Sequence, residues 1–238
     1  MTEAPNYSEF TVVIPTLNEA SVISMLLTAL KNLYPAIKII VADDASTDGT
    51  QRCVKEFAAV YPEDVQLLER DKTGVVHGLT ASVLDAVMMV TTKFFVVMDG
   101  DLQHPPQVLA QMAQKILSGV DIVAGARIPY KENQGLHRVI MTKISTKIAK
   151  MVLRSKGIVI SDPMSGFFCG RTTLVQQTIK EHLNSFEPCG YKVFFELLKI
   201  LPRPLKIEEV WYQFAFRTGG RSKLKPRHAL YFIRSLFK

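Results

Sequence analysis

The chain has 238 residues, of which 47% are hydrophobic and 21% are charged, and this balance predicts one globular domain with a full core. No apolar run approaches the ~20 residues of a membrane-spanning helix, and the N-terminus lacks the apolar segment of a secretory signal. The three cysteines are widely spaced and no two have metal-ligand spacing, which is typical of reduced thiols in a cytosolic protein: Cys53, Cys169 and Cys189.

The net charge of +7 is distributed unevenly, with an acidic first half and a basic second half of the chain. Residues 1–132 carry 10 basic and 16 acidic side chains, a balance of −6, whereas residues 133–238 carry 19 basic and 6 acidic ones, a balance of +13. No acidic residue occurs from 133 to 161 or from 217 to 238. The second half is therefore expected to meet anionic partners such as phosphates, nucleic acid or a lipid surface, with a solvated basic face as the alternative.

The first half alternates strand and helix patterns. The predicted strands are Phe10–Ile14, Ile37–Val41, Val65–Leu68, Phe94–Met98 and Asp121–Ala124. The predicted helices are Asn18–Asn32, a helix capped near Ser46–Asp48 that runs to about Val60, Gly78–Val90 and Pro106–Leu117. This alternation predicts an α/β fold with a doubly wound, mostly parallel sheet flanked by helices. Ligands bind such sheets at the carboxyl ends of the strands.

The second half contains basic amphipathic segments. From Val139 to Arg154 an apolar stripe lies beside a basic one on a predicted helix: Ile140, Ile144, Ile148 and Met151 beside Lys143, Lys147, Lys150 and Arg154. The C-terminal run from 228 to 238 has the same basic, aromatic and aliphatic character. Such a helix either lies in a membrane interface or packs its apolar stripe on the sheet. We expect peripheral membrane attachment through helix 138–156 and the final segment.

Two carboxylates follow the apolar run Phe94–Met98. If the backbone stays extended, the side chains of Asp99 and Asp101 point to the same side of the strand. Two negative charges at such a short distance repel each other, which favours a cation between them. With the amide oxygen of Gln103, these hard oxygen ligands suit Mg²⁺ or Mn²⁺, which can hold the phosphates of a substrate. The alternative is an acidic turn that caps the next helix, but the surrounding sequence from 96 to 106 favours the metal site.

Two further polar motifs follow the first and second predicted strands, at Pro15–Glu19 and Asp43–Thr50. A carboxylate at a strand end can accept a hydrogen bond from a base N–H group, and neighbouring backbone groups can hold a ribose. Taken alone, either motif also fits turn and capping chemistry.

Together these motifs resemble the family 2 glycosyltransferases of the GT-A fold and, within them, the dolichol- or polyprenyl-phosphate mannose synthases. The resemblance extends from Phe10 to about Lys225 and is most specific in 97–106, Gly125–Arg127, Asp162–Phe168 and Ser222–Lys225. It implies one GT-A domain over 1–238, with a nucleotide-sugar-binding half (1–132) and an acceptor- and membrane-facing half (133–238).

The resemblance also implies the reaction. A hexose, mannose from GDP-mannose, would move with inversion onto dolichyl or polyprenyl phosphate at the cytoplasmic face of a membrane, with Mg²⁺ or Mn²⁺ as cofactor. A small membrane-anchoring subunit is a further expected partner, and nucleic acid is not.

Individual residues acquire roles by the same resemblance. The nucleotide-sugar site would comprise Pro15, Leu17, Glu19, Ala42, Asp44, Asp99, Gly100, Asp101 and Lys223. The metal would be held by Asp99, Asp101 and Gln103, and the acceptor phosphate by Arg127, Arg138 and Thr142. The catalytic residues would be Asp101, Arg127 and Arg217, with Arg217 and Lys223 in a loop that closes on the phosphates. Leu17, Gly100, Thr142 and Arg221 depart from the family pattern, and the reversed charge at Arg221 leaves the donor open.

The acceptor can also be argued from the residues. Transfer to a sugar hydroxyl needs a carboxylate base, whereas a phosphate monoester is largely ionised near neutral pH and needs cations. The Glu-Asp pair and the Gln-x-x-Arg-Trp motif of polysaccharide synthases are absent from suitable places, which favours a phosphate acceptor. The alternatives are glucose from UDP-glucose, a different acceptor, a nucleotidyltransferase and an inactive binding module. A nucleic-acid-binding function would not explain the acidic residues at the ends of the predicted strands.

Overall fold

Seven strands form the centre of the molecule in the order β3-β2-β1-β4-β6-β5-β7. The structure, a computed structural model, describes residues 5–71, 74–128, 136–214 and 227–238, with the backbone alone for 136–142 and 227–228. The strands are β1 (Phe10–Thr16), β2 (Lys38–Asp43), β3 (Val65–Glu69), β4 (Phe94–Val97), β5 (Ile122–Arg127), β6 (Phe168–Arg171) and β7 (Ile207–Tyr212). Only β6 is antiparallel to its neighbours, so the predicted doubly wound, mostly parallel sheet is confirmed.

Helices cover both faces of this sheet. In the described part of the chain they are α1 (Ile23–Leu33), α2 (Thr50–Val60), α3 (Leu79–Met89), α4 (Val108–Leu117), α5 (Leu136–Ser155), α6 (Thr172–His182), α7 (Val193–Ile200) and α8 (Arg227–Phe237). Because strand side chains alternate between faces, Val13 belongs to a buried cluster with residues of α3 and α5–α8, whereas Val12 and Ile14 belong to a second cluster with residues of α1, α2 and α4. The two buried clusters thus cover the two faces of the sheet.

The first helix begins later than its sequence pattern indicates. The prediction of a helix from Asn18 is wrong, because Asn18 has a φ of 54° and α1 begins at Ile23. The backbone amide of Asn18 donates to Ser46 Oγ at 2.7 Å, and that of Ala20 donates to Asp48 Oδ2 at 3.0 Å. The loop after β1 is thus bonded to the loop after β2 instead of coiling into a helix.

The buried carboxylate of Asp43 joins these two loops at the end of β2. Its oxygens accept hydrogen bonds from Thr16 Oγ1 at 2.9 Å, from the Ser46 amide at 2.9 Å and from Gln51 Nε2 at 2.9 Å. Asp43 therefore ties the end of β1, the loop after β2 and the first turn of α2 to one point.

Replacing Asp43 tests this arrangement. We expect Asp43→Ala to lower the free energy of unfolding by about 3 kcal/mol, because several buried donors lose their acceptor. Urea denaturation measures the change. The control Glu56→Ala, in which an exposed carboxylate on α2 is removed, should change stability by less than ~0.5 kcal/mol. Equal effects of the two substitutions would contradict the role of Asp43.

Candidate active site

The two carboxylates after β4 lie in a turn. β4 ends at Val97, so the expectation of an extended backbone through Asp101 is wrong: the chain turns at Gly100 and Asp101, and Leu102 has a φ of 63°. Asp101 is only 3% exposed, and its Oδ1 accepts a hydrogen bond from the Gln103 amide at 3.1 Å. The side chain of Asp99 is 35% exposed. One carboxylate is thus held inside the turn while the other is open to solvent.

His104 supports this turn from the core side. Its Nδ1 accepts a hydrogen bond from the Asp99 amide at 3.0 Å, and its ring stacks on Phe167 with the centroids 4.9 Å apart. Burial lowers the pKa of His104 against the opposing charges of Asp99 and Asp101, so the imidazole is neutral near pH 7. It orients Asp99 without adding positive charge.

Gly166 leaves the space beside Asp99 open. A Cβ atom at this position would lie 3.3 and 3.5 Å from the two Asp99 carboxylate oxygens and 3.5 Å from His104 Cε1. Such contacts are tight, so any side chain at 166 would press on the carboxylate. The glycine therefore keeps both oxygens accessible.

The donor set around Asp99 fits a hard divalent cation. Both carboxylates act electrostatically on the same imidazole, and Gln103 follows two residues after Asp101. Among the described residues no group of three His, Cys, Asp or Glu side chains could hold a metal. Mg²⁺ in particular is bound by one or two carboxylates together with water and substrate phosphates. The residues present therefore fit a cation that is shared with a phosphate ligand.

A second acidic centre lies at the end of β2. Asp44 forms an ion pair with the buried guanidinium of Arg70, and its Oδ1 lies 2.9 Å from His77 Nδ1. Its Oδ2 accepts a hydrogen bond from the Gly78 amide at 2.9 Å. Sequence reasoning identified Asp44 but missed Arg70 and gave His77 no role. Arg70 directly follows β3, as Asp44 follows β2, and that shared position was the available signal.

The sheet brings the two acidic centres to one edge. A Cβ atom at Gly100 would lie 3.1 Å from Thr16 Cγ2 and 3.7 Å from Glu19 Cγ, so the turn after β4 contacts the loop after β1. The Asp44 amide donates to the Thr16 carbonyl at 2.9 Å. The nucleotide-sugar residues predicted from the described part of the chain therefore lie along this edge: Pro15, Leu17, Glu19, Ala42, Asp44, Asp99, Gly100 and Asp101. Ala42 is buried within β2, so its backbone alone is available.

Arg127 ends β5 and forms a two-bond ion pair with Asp162. The Nε–Oδ2 distance is 2.6 Å and the Nη2–Oδ1 distance is 3.1 Å. The guanidinium carbon also lies 5.5 Å from the centre of the Phe214 ring. Burial opposes ionisation of Asp162, but the hydrogen bonds and charge of Arg127 outweigh burial and lower its pKa. Asp162 is thus an ionised carboxylate engaged at both oxygens, and no role had been assigned to it.

Lys192 approaches the same group from the residue before α7. Its Nζ donates a hydrogen bond to the Met164 carbonyl at 3.1 Å. Burial and the charge of Arg127 lower its pKa to about 8, against the opposing effects of Asp162 and Asp99. Sequence reasoning missed this residue because it did not predict α7.

Four predicted site residues cannot be located in this geometry. Arg217 and Lys223 lie outside the described residues. Arg138 and Thr142 belong to α5, in the part whose side chains are not described. Their roles remain predictions.

The chain matches the family model for glycosyl transferase family 2 over residues 11–178, which is more than half of its length. It belongs to glycosyl transferase family 2. Within this family it is 32% identical over 232 residues to the dolichol-phosphate mannosyltransferase of Pyrococcus furiosus, covering 95% of this chain and 62% of that relative. The chain thus spans less than two thirds of that protein. It is 29% identical over 241 residues to the dolichol-phosphate mannosyltransferase of Saccharomyces cerevisiae, covering 96% and 85%.

A solved structure confirms the GT-A fold of this family 2 member. Glucosyl-3-phosphoglycerate synthase from Mycobacterium tuberculosis, crystallised with Mn²⁺, UDP-glucose and phosphoglyceric acid, matches with a TM-score of 0.66. The match covers 94% of this chain and 76% of that one at 17% identity. At this identity the similarity concerns the fold alone.

Removing Arg127 tests the ion pair. We expect Arg127→Met to lower the free energy of unfolding by about 2 kcal/mol at pH 7, measured in urea, because it leaves Asp162 as an unpaired, largely buried charge. The double variant Arg127→Met/Asp162→Asn should recover at least half of that loss. Folding lowers the pKa of Asp162 from its ordinary 3.8, so the stabilisation is present above that value and is lost as the pH falls through the lower folded pKa.

The matched control is Arg52→Met, which breaks an exposed ion pair on α2 whose atoms are 3.9 Å apart. Its effect should stay below ~0.5 kcal/mol. Equal losses in the single and double Arg127 variants would contradict the charge argument.

Proposed function

We propose that this protein transfers mannose from GDP-mannose to a dolichyl or polyprenyl phosphate, with inversion and in the presence of Mg²⁺ or Mn²⁺. The activity named for its relatives from Pyrococcus furiosus and Saccharomyces cerevisiae supports this proposal. The acidic edge of the sheet and the cations next to it are consistent with a diphosphate donor and a phosphate acceptor.

The ion pair between Arg127 and Asp162, close to Asp99, is the main observation in support of a phosphate acceptor. A sugar hydroxyl acceptor would require a carboxylate that is free to take its proton. Asp162 is a poor base, because both of its oxygens are bound by Arg127 and its pKa is lowered. A phosphate monoester is already ionised near neutral pH, so its attacking oxygen needs a cation to orient it and no base.

We expect the nucleotide-sugar donor to bind along the rest of the carboxyl edge of the sheet. In this proposal the Asp44 carboxylate, held by Arg70 and the Gly78 amide, would accept hydrogen bonds from the nucleoside. Asp99, Asp101 and Gln103 would hold the divalent cation, which when bound supplies positive charge to a leaving diphosphate. His104 orients Asp99, and the Gln103 amide holds Asp101 within the turn.

In the proposed reaction the bond between the anomeric carbon and the donor phosphate oxygen breaks while positive charge develops on that carbon. An oxygen of the acceptor phosphate forms the new bond on the opposite face, and the electron pair of the broken bond leaves with the nucleoside diphosphate. Arg127 orients the acceptor oxygen for this attack. No proton transfer is required, and by resemblance Arg217 and Lys223 would add positive charge to the leaving group.

A lipid-extraction assay tests the reaction. The protein is incubated with polyprenyl phosphate, Mg²⁺ or Mn²⁺, and labelled GDP-mannose or UDP-glucose, and the label in the organic phase is counted. We expect transfer from GDP-mannose and a loss of at least ~100-fold in Asp101→Asn, because one oxygen ligand is neutralised. Glu56→Gln serves as the control, with unchanged transfer. Labelled lipid formed only from UDP-glucose would contradict GDP-mannose as the donor. Transfer that a metal chelator does not reduce would contradict the proposed metal site.

We also propose peripheral attachment to the cytoplasmic face of a membrane, with a small anchoring subunit as a further partner. Within the described ranges, no helix is long and apolar enough to cross a bilayer. On α5, Met151 is 66% exposed, and Lys147 and Lys150 lie one turn or less away from it. On α8, Phe237 is 87% exposed next to the basic C-terminal residue. Exposed apolar side chains among lysines are typical of helices that lie in a lipid interface.

Vesicle sedimentation tests this attachment. The protein should sediment at low salt with vesicles that contain roughly 30% anionic lipid and be released by added salt. The variant Lys143→Glu/Lys147→Glu/Lys150→Glu should bind at least ~10-fold more weakly, since each base near the surface contributes about 1 kcal/mol. The control Lys55→Glu/Lys180→Glu/Lys206→Glu changes net charge equally at other exposed positions. Equal loss in both variants would contradict a specific role for α5.

A further inference from the structure

We propose that Lys192 recognises the phosphate monoester of the acceptor, forming a two-cation site with Arg127 in which Lys192 supplies the uncompensated positive charge. This inference rests on the proposed function, which it deepens by adding a specificity-determining residue. Four features of the described residues support it: the placement of Lys192, the charges around it, the environment of its ammonium group and the order of the strands.

The placement of Lys192 directs its ammonium group towards the acceptor side of the edge. The residue immediately precedes α7, and its Nζ donates to the Met164 carbonyl at 3.1 Å. Met164 lies between Asp162, which binds Arg127, and Gly166, which borders Asp99. The ammonium is thus anchored to the segment that connects these two parts of the site.

Within the described part of the chain, Lys192 has no carboxylate partner, and its Nζ lies 4.6 Å from the centre of the Tyr191 ring. Arg127 and Asp162 neutralise each other through two hydrogen bonds. Among the described residues, no carboxylate oxygen lies within 4.0 Å of Lys192 Nζ, whose hydrogen bond goes to a neutral carbonyl. A phosphate monoester carries about −1.5 to −2 charges at pH 7, which a neutral ion pair cannot balance.

The environment of the ammonium favours an anionic ligand. Burial and the neighbouring guanidinium of Arg127 both disfavour the charged form of Lys192, and they lower its pKa to about 8. An anion between the two cations would remove their repulsion. A lysine whose pKa is shifted by burial and by a charged neighbour is typical of functional sites.

The strand order separates this cation from the nucleoside. Asp44 follows β2, and Asp99 follows β4 near the centre of the sheet. Arg127 ends β5 on the other side of β4, and the antiparallel β6 starts at the same edge, with Phe168 opposite Val97. Lys192 therefore lies on the side of Asp99 that faces away from Asp44, where the acceptor is expected.

Calorimetry with geranyl phosphate, a soluble phosphate monoester, tests the inference, and GDP with Mg²⁺ distinguishes the donor diphosphate as the alternative ligand. We expect Lys192→Gln to weaken geranyl phosphate binding at least ~10-fold and GDP–Mg²⁺ binding less than ~2-fold, because the uncompensated charge is lost only on the acceptor side. Lys192→Arg should retain geranyl phosphate affinity within ~3-fold, and the exposed-lysine control Lys180→Gln should match wild type.

Other outcomes overturn the inference. They are unchanged geranyl phosphate affinity in Lys192→Gln, an equal loss of GDP–Mg²⁺ affinity, or failure of that variant to fold, which would indicate a structural tether to Met164. A Tm equal to or above wild type is expected, since the neutral side chain avoids burying a charge.

Binding and transfer are measured separately, so the two proposals can fail separately. If the wild type transfers mannose and Lys192→Gln binds geranyl phosphate normally, the inference alone fails. If the wild type binds geranyl phosphate through Lys192 but transfers no mannose, the proposed function alone fails.

Discussion

The ion pair between Arg127 and Asp162 connects the end of β5 to the segment before β6, across 35 residues of sequence. That segment continues through Met164, which binds Lys192, to Gly166, which leaves room beside the Asp99 carboxylate. Because each contact depends on where this segment lies, the ion pair helps to place the Met164 carbonyl that binds Lys192 and the glycine beside Asp99. The same pairing engages both oxygens of Asp162 and lowers its pKa, so Asp162 is a poor general base.

The sheet divides its carboxyl edge into regions of different character. Asp44 and Arg70 lie at the ends of β2 and β3, and the two carboxylates of the turn after β4 lie near the centre. The reversed strand β6 then brings the segment before Phe168 to this edge, where a parallel strand would have brought the residues after it. An antiparallel strand thus provides the side of the edge where we propose that the acceptor binds, which the repeating strand–helix units of the first half do not contain.

The division of charge along the sequence reflects this architecture. The acidic first half provides the carboxylates at the strand ends. Those of Asp44 and Asp101 accept hydrogen bonds from backbone amides, and the backbone amide of Asp99 donates to the buried ring of His104. The basic second half contributes Lys192 to the edge and the exposed lysines of α5 to the surface. The two acid-free stretches coincide with α5 and α8 and their neighbouring segments, a distribution consistent with anionic partners on that side.

The sequence by itself determined the α/β class, β1–β5, α2–α5 and the acidic motifs, because apolar periodicity and turn residues are local signals. It could not determine that α1 begins at Ile23, since the amides before it bond to the loop after β2. Nor could it pair Arg70 with Asp44 or Lys192 with Met164, because these partners are 26 and 28 residues apart in the sequence. Those contacts exist only because the sheet order brings distant strand ends to one edge, and tertiary structure alone decides that order.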